Sequence, residues 1–277
     1  MKKVILEKIC EKSIHELPID FKHLDIADFG LNTKLYKYQQ KAIVNLLHCL
    51  NIYYSQNQPD KQSLFDQYQI NGLDGDLENN LNINIEDDNF DFLSTFYNAS
   101  DNKIEFKEII NRAGCWMATG SGKTLVMVKL IDILFKLVKQ RVIPQKDILF
   151  LAPKDRILSQ IQEHIELFNQ NGKLQIEFRD IREWEKIKHN QGNLFEENLI
   201  TVFYYRADNI TDQDKEKQID FKTYLNNGNW YLILDEAHKG HSEFSKRQQY
   251  YTALSQNGFL FNFSATFTVS EMKAFCK

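Results

Sequence analysis

Met117-Ala118-Thr119-Gly120-Ser121-Gly122-Lys123-Thr124 follows a short apolar run, Gly114-Cys115-Trp116-Met117-Ala118. It leads into a stretch, Lys123 to Lys139, where Leu125, Val126, Val128, Leu130, Ile131, Ile133, Leu134 and Leu137 recur at helical spacing. The apolar run reads as a strand and the periodic stretch as a largely buried helix, so the octapeptide is a strand-to-helix loop. A phosphate-binding loop needs that context. Gly120 and Gly122 let the backbone curl until successive N–H groups converge on phosphate oxygens, and the helix N-terminus adds the positive end of its dipole. Lys123 reaches the terminal phosphates and Thr124 offers a hydroxyl to Mg²⁺. Thr119 and Ser121 complete the candidate nucleotide-binding loop. Where the common form of such a loop begins with Gly, this one has Met117.

Downstream, Trp230-Tyr231-Leu232-Ile233-Leu234 is a continuous apolar run followed at once by Asp235-Glu236-Ala237-His238. A carboxylate projected from the C-terminal edge of a parallel sheet stands where ligands bind in α/β folds. Asp235 can then hold Mg²⁺ through water while Glu236 orients and deprotonates an attacking water. His238 and His241 have no third ligand nearby and do not make a zinc site. A third run, Phe259-Leu260-Phe261-Asn262-Phe263, ends in Ser264-Ala265-Thr266. The hydroxyls of Ser264 and Thr266 are placed to bond the Asp235–His238 turn and to transmit the state of the terminal phosphate.

Between these segments the chain keeps returning to strands, at Asp147–Ala152, near Leu174–Phe178 and at Leu199–Tyr204, with a helix from about Lys154 to Asn169. The alternation specifies an α/β fold, a mostly parallel sheet with helices on both faces. Leu35 to Leu50 carries apolar residues at three- and four-residue steps and reads as an amphipathic helix. From about Ser55 to Lys107 Asn and Asp dominate, with Asn71-Gly72 and Asp74-Gly75 as turn signals, which marks an insertion. The expected organisation is 1–54, an N-terminal region; 55–107, the insertion, read foremost as a tolerated surface loop and otherwise as a specificity or partner-binding element, with Phe90, Phe92, Phe96 and Tyr97 leaving room for partial order; and 108–277, the nucleotide-binding domain.

With 277 residues, 43% of them hydrophobic, the chain can bury a substantial core, which excludes disorder throughout. A net charge of -4 excludes a surface coated in lysine and names no partner by itself. Cys10, Cys49, Cys115 and Cys276 stand far apart with no CxxC pair, as suits reduced thiols. The N-terminus acquires charge too early for a signal peptide, and no apolar run approaches the ~18 residues of a membrane span. The expectation is a cytoplasmic protein with no membrane partner.

Taken together, MATGSGKT resembles motif I, DEAH motif II and SAT motif III of superfamily 2 helicases and translocases, in the family's order. Leu35-Tyr36-Lys37-Tyr38-Gln39 is similar to the family's adenine-reading segment, with Gln39 in the glutamine place and Tyr36 where many members carry Arg. Leu151-Ala152-Pro153-Lys154 resembles motif Ia. The phrases around the three motifs look most like the motor subunit of type III restriction enzymes. That resemblance implies a RecA-like P-loop NTPase domain, ATP and Mg²⁺ as cofactors, and catalytic roles for Lys123, Asp235, Glu236 and His238. It also implies double-stranded DNA as the track, touched by Pro153, Lys154 and Arg156. A methyltransferase or specificity subunit is the implied partner. A second RecA-like domain, whose arginines complete the active site, is expected outside this stretch, so the ATPase of this stretch alone is expected to be weak. Two other readings stay open, an ATP-binding interaction module that is not a motor and the first domain of an RNA helicase.

Overall fold

The computed structural model describes residues 4–30, 33–73, 83–84, 92–98, 103–191, 194–235 and 246–265. Six strands form its main sheet: β1 (Arg112–Trp116), β2 (Asp147–Ala152), β3 (Gln175–Asp180), β4 (Leu199–Arg206), β5 (Trp230–Asp235) and β6 (Phe259–Ser264). Their spatial order is β1-β6-β5-β2-β4-β3, and every neighbouring pair is parallel. The expected RecA-like α/β sheet is present. Strands β2, β5 and β6 are buried at every position, as central strands covered on both faces must be.

Helices pack on both faces. They are α1 (Ile5–Cys10), α2 (Lys37–Tyr53), α3 (Lys61–Ile70), α4 (Lys123–Lys139), α5 (Asp155–Asn169), α6 (Trp184–Gln191) and α7 (Lys246–Leu254). Successive side chains of a strand point to opposite faces, and β5 shows which helix lies where. Its Trp230 meets Trp184 of α6 at 5.5 Å between ring centroids, while Tyr231 meets Tyr54 at the end of α2 at 6.1 Å. Helices α2, α4 and α5 therefore share one face and α6 the other. Helix α7 joins α6's side, where Phe221 stacks on its Tyr250 and the side chain of Arg112 reaches its Thr252.

Helix α4 is buried nearly all round, including Lys129 and Asp132, each 2% exposed. Their charges are paired: Lys129 Nζ lies 2.8 Å from Asp132 Oδ2 and donates to the Asp28 carbonyl, and Lys136 closes on the same carboxylate at 2.8 Å. Such pairing is what a buried charge requires. It fixes α4, and with it the loop at its N-terminus, to the chain around Asp28.

The Asn-rich segment departs from a surface loop. Its helix α3 buries Leu64 and Tyr68, and residues 92–98 bury Leu93 and Tyr97. Tyr97 Oη donates to the Thr252 carbonyl of α7, and Phe92 packs on Phe221 and Tyr250. The partial order that Phe92, Phe96 and Tyr97 pointed to is present, and it is packed against α7. Arg112, wholly buried under them, donates Nε to the Ile109 carbonyl and Nη2 to Thr252 Oγ1, and burial lowers its pKa.

The turn into β6 is tight. A methyl group on Gly258 would overlap the backbone of Trp230 at the start of β5. Gly258→Ala is therefore expected to destabilise the domain by about 1–3 kcal/mol, read as a lower urea midpoint. An unchanged midpoint would show that the two strand starts have room to separate.

Candidate nucleotide site

The three motif segments converge on the C-terminal rim of the sheet. Strand β6 lies between β1, which feeds the loop, and β5, which ends in Asp235. The register sets Ser264 beside Trp116 and Phe263 beside Asp235, so all three strand ends finish level. The Met117 N–H donates to the Ser264 carbonyl at 2.9 Å, and the Trp116 indole N–H donates to the Ala265 carbonyl at 2.9 Å. Motifs far apart in sequence are thereby sewn edge to edge.

In the loop, Gly120 and Gly122 stand at φ 77° and 75°, in the left-handed region open to glycine. Gly122 is the N-cap of α4, and Lys123 its first residue. From there Lys123 Nζ reaches Asp235 Oδ1 at 3.0 Å, with side chains only 15% and 5% exposed. The Ser121 hydroxyl is buried with no hydrogen-bond partner among the described residues. The first N–H groups of α4 have no acceptor within the helix. A lysine and an aspartate in contact, an unsatisfied hydroxyl and the positive end of a long helix make a donor set that fits the phosphates of a nucleotide with its metal ion. Thr124, next in the helix, is half-buried at the same mouth.

Gln39 lies beneath the loop. It is 1% exposed; its Oε1 accepts from the Tyr36 N–H at 2.8 Å and its Nε2 donates to the Ser121 carbonyl at 2.8 Å. One end of the amide thus caps α2 and the other braces the loop. The sequence reading missed Tyr38, whose hydroxyl donates to the same carbonyl at 2.9 Å. Tyr36 and Tyr38, 68% and 53% exposed, stack on each other at 5.9 Å beside the loop.

Along the same rim, Lys154 and Arg156 are exposed at the start of α5, with Pro153 half-buried before them. Asp155 between them pairs with Arg206 at the end of β4, Oδ2 to Nη1 at 3.0 Å, and Arg206 closes a second pair with Asp208 at 2.6 Å. These carboxylates raise the Arg206 pKa, the side-chain bond to Asp208 most of all. Tyr205 is buried and donates to the Lys217 carbonyl, and Tyr204 stacks on Phe178, so both tyrosines serve packing. Glu236, His238 and Thr266 lie outside the described residues, as does His241. Cys10, Cys49 and Cys115 are buried and in no disulfide, and no cluster of potential metal ligands occurs among the described residues.

A family model described as the res subunit of type III restriction enzymes matches residues 32–269, which include every motif named above. The chain belongs to that family. The resemblance to superfamily 2 helicases is thereby borne out, and the stretch is a helicase-family motor domain. Among solved structures, the UvsW helicase from bacteriophage T4 is similar at 13% identity and a TM-score of 0.34. The match covers 68% of this chain and 62% of that one, so the chain spans less than two thirds of that helicase structure. No curated protein matches the sequence. No helix among the described residues is long and apolar enough to cross a membrane.

The loop geometry is testable without a ligand. Gly122→Ala holds a β-carbon at φ 75°, costing about 1–2 kcal/mol, and drives it into the Gln39 amide. In a Gln39→Ala background the steric part vanishes and the backbone part stays. Chemical denaturation of the two single variants and the double variant is expected to show a coupling of about 0.5 kcal/mol or more. Strict additivity would mean that the two side chains do not meet.

Proposed function

We propose that this chain is the ATP-binding and ATP-hydrolysing motor domain of a DNA-dependent ATPase working within a type III restriction-modification-like system. The observation that carries the reading is the contact of Lys123 with Asp235, which brings the phosphate-seeking cation and the metal-seeking carboxylate to one point. In this arrangement each neutralises the other. With Mg-ATP bound, Lys123 would turn from Asp235 to the terminal phosphates and Asp235 would be free to hold the metal ion.

The remaining roles are those of the motifs that these residues resemble. The loop from Thr119 to Thr124 wraps the phosphates with its N–H groups, with Thr124 Oγ1 as a metal ligand. Bound Mg²⁺ would offset charge on the phosphate oxygens. Glu236 takes the proton of the water whose oxygen attacks the γ-phosphorus as the bond to ADP breaks. His238, Ser264 and Thr266 relate that event to neighbouring segments. Tyr36 and Tyr38 offer exposed rings on the side where a base would lie, and Gln39 serves the base by way of the loop it braces. Pro153, Lys154 and Arg156 contact the phosphate backbone of duplex DNA, the track favoured by family membership. A methyltransferase or specificity subunit and a second RecA-like domain are the proposed partners, and the cytoplasm the proposed location.

A fluorescent ATP analogue titrated in the presence of Mg²⁺ tests the reading. The wild-type chain is expected to bind it, and Lys123→Ala to bind about 10- to 100-fold more weakly, the loss that goes with one charge-assisted contact. Equal affinities for the two would refute the assignment of the loop.

A further inference from the structure

Helix α7 occupies a singular place. In sequence it falls between Asp235 and Ser264, and in space it touches the turn that follows β4. Tyr251, 3% exposed, donates its hydroxyl to the Ala207 carbonyl at 2.8 Å, and Arg247 Nη2 lies 3.5 Å from the Asp208 carbonyl. Ala207 and Asp208 directly follow Arg206, which grips Asp155 between the exposed Lys154 and Arg156. At its other end α7 runs into residues whose Ser255 and Gly258 carbonyls both accept from Asn111 Nδ2, at 2.6 and 3.1 Å. Gly258 has no room to move against Trp230, and β6 leads from it straight to Ser264.

We propose that Tyr251 is a positioning residue that couples the nucleotide site to the nucleic-acid edge, with α7 as the rigid link. The inference rests on the reading of this chain as a nucleotide-driven motor on DNA. A shift of the Ser264 strand end on nucleotide binding is passed to α7 because the packing between them leaves no slack. The hydroxyl of Tyr251 hands it to the Ala207–Asp208 turn, and the Arg206–Asp155 pair carries it to Lys154 and Arg156. Burial raises the Tyr251 pKa, so the phenol stays a protonated donor through the neutral range. The chain of contacts specifies a route, and only a measured coupling between the two ligands establishes it.

The test measures the affinity of the chain for a short fluorescein-labelled DNA duplex by anisotropy, without nucleotide and with saturating Mg²⁺ and a slowly hydrolysed ATP analogue. The wild-type ratio of the two dissociation constants is expected to differ from one by about fivefold or more. Tyr251→Phe, which deletes a single hydroxyl, is expected to bring that ratio close to one while leaving the affinity for each ligand alone unchanged. A residue needed only for stability would lower the melting temperature and leave the ratio as it was. Arg247→Ala, an exposed position, is expected to reduce the ratio in the same direction, and it decides the matter should Tyr251→Phe not fold. Retention of the wild-type ratio in the folded variants overturns the proposal, and so does a wild-type ratio of one when both ligands bind. Failure of the wild-type chain to bind the nucleotide at all strikes the functional reading itself, which the analogue titration alone reveals.

Discussion

A lysine at the first position of a helix and an aspartate at the last position of a strand meet at 3.0 Å, and the architecture around them is what makes that meeting possible. Side chains from segments more than a hundred residues apart share one point because all six strands run parallel and finish on one rim. An antiparallel neighbour would have sent one motif to the opposite end. Inserting β6 between the two motif strands sets a third segment end, Ser264, level with both. The parallel sheet in turn requires crossover helices on its faces, and α4 is one of them, so the loop and its supporting helix come from the same requirement.

The loop is shaped from below as well as along its own chain. Two glycines at positive φ supply the curl, and the Ser121 carbonyl is held by both Gln39 and Tyr38. Those residues open α2, which packs against α4 on the same face of the sheet. The N-terminal region is thus structurally continuous with the Gly120–Gly122 loop, although the sequence places it eighty residues earlier.

Much of this was legible in the residue pattern. Helix α4 and strand β2 fall where the apolar spacing placed them, because long apolar stretches admit one reading. Strands β4, β5 and β6 each run one or two residues beyond the apolar runs, to Arg206, Asp235 and Ser264. Backbone pairing continues to the rim, where polar side chains serve the site, and hydrophobicity alone stops counting just there. Helix α7 gave no signal, since Lys246-Arg247-Gln248-Gln249-Tyr250-Tyr251-Thr252-Ala253-Leu254 buries glutamines and tyrosines as fully as its leucine. In residues 92–98 the aromatics Phe92, Phe96 and Tyr97 pointed to partial order, while the surrounding asparagine and aspartate gave no sign of what they pack against.

The same contrast separates what the core needs from what the site needs. Buried charge within α4 is paired to a close neighbour, as stability demands. Asn262, wholly buried in β6, has neither amide atom in a hydrogen bond among the described residues, a loss of about 1–3 kcal/mol for a strand that an aliphatic residue would fill. It stands two positions before Ser264, on the strand between β1, which leads into the Gly120–Gly122 loop, and β5, which ends in Asp235. Asn45, Tyr53, Tyr54, Asn57 and Ser121 also keep a buried polar atom without a partner among the described residues, so the interior tolerates such atoms beyond β6 as well. A sheet optimised for stability alone would have no reason to keep that amide.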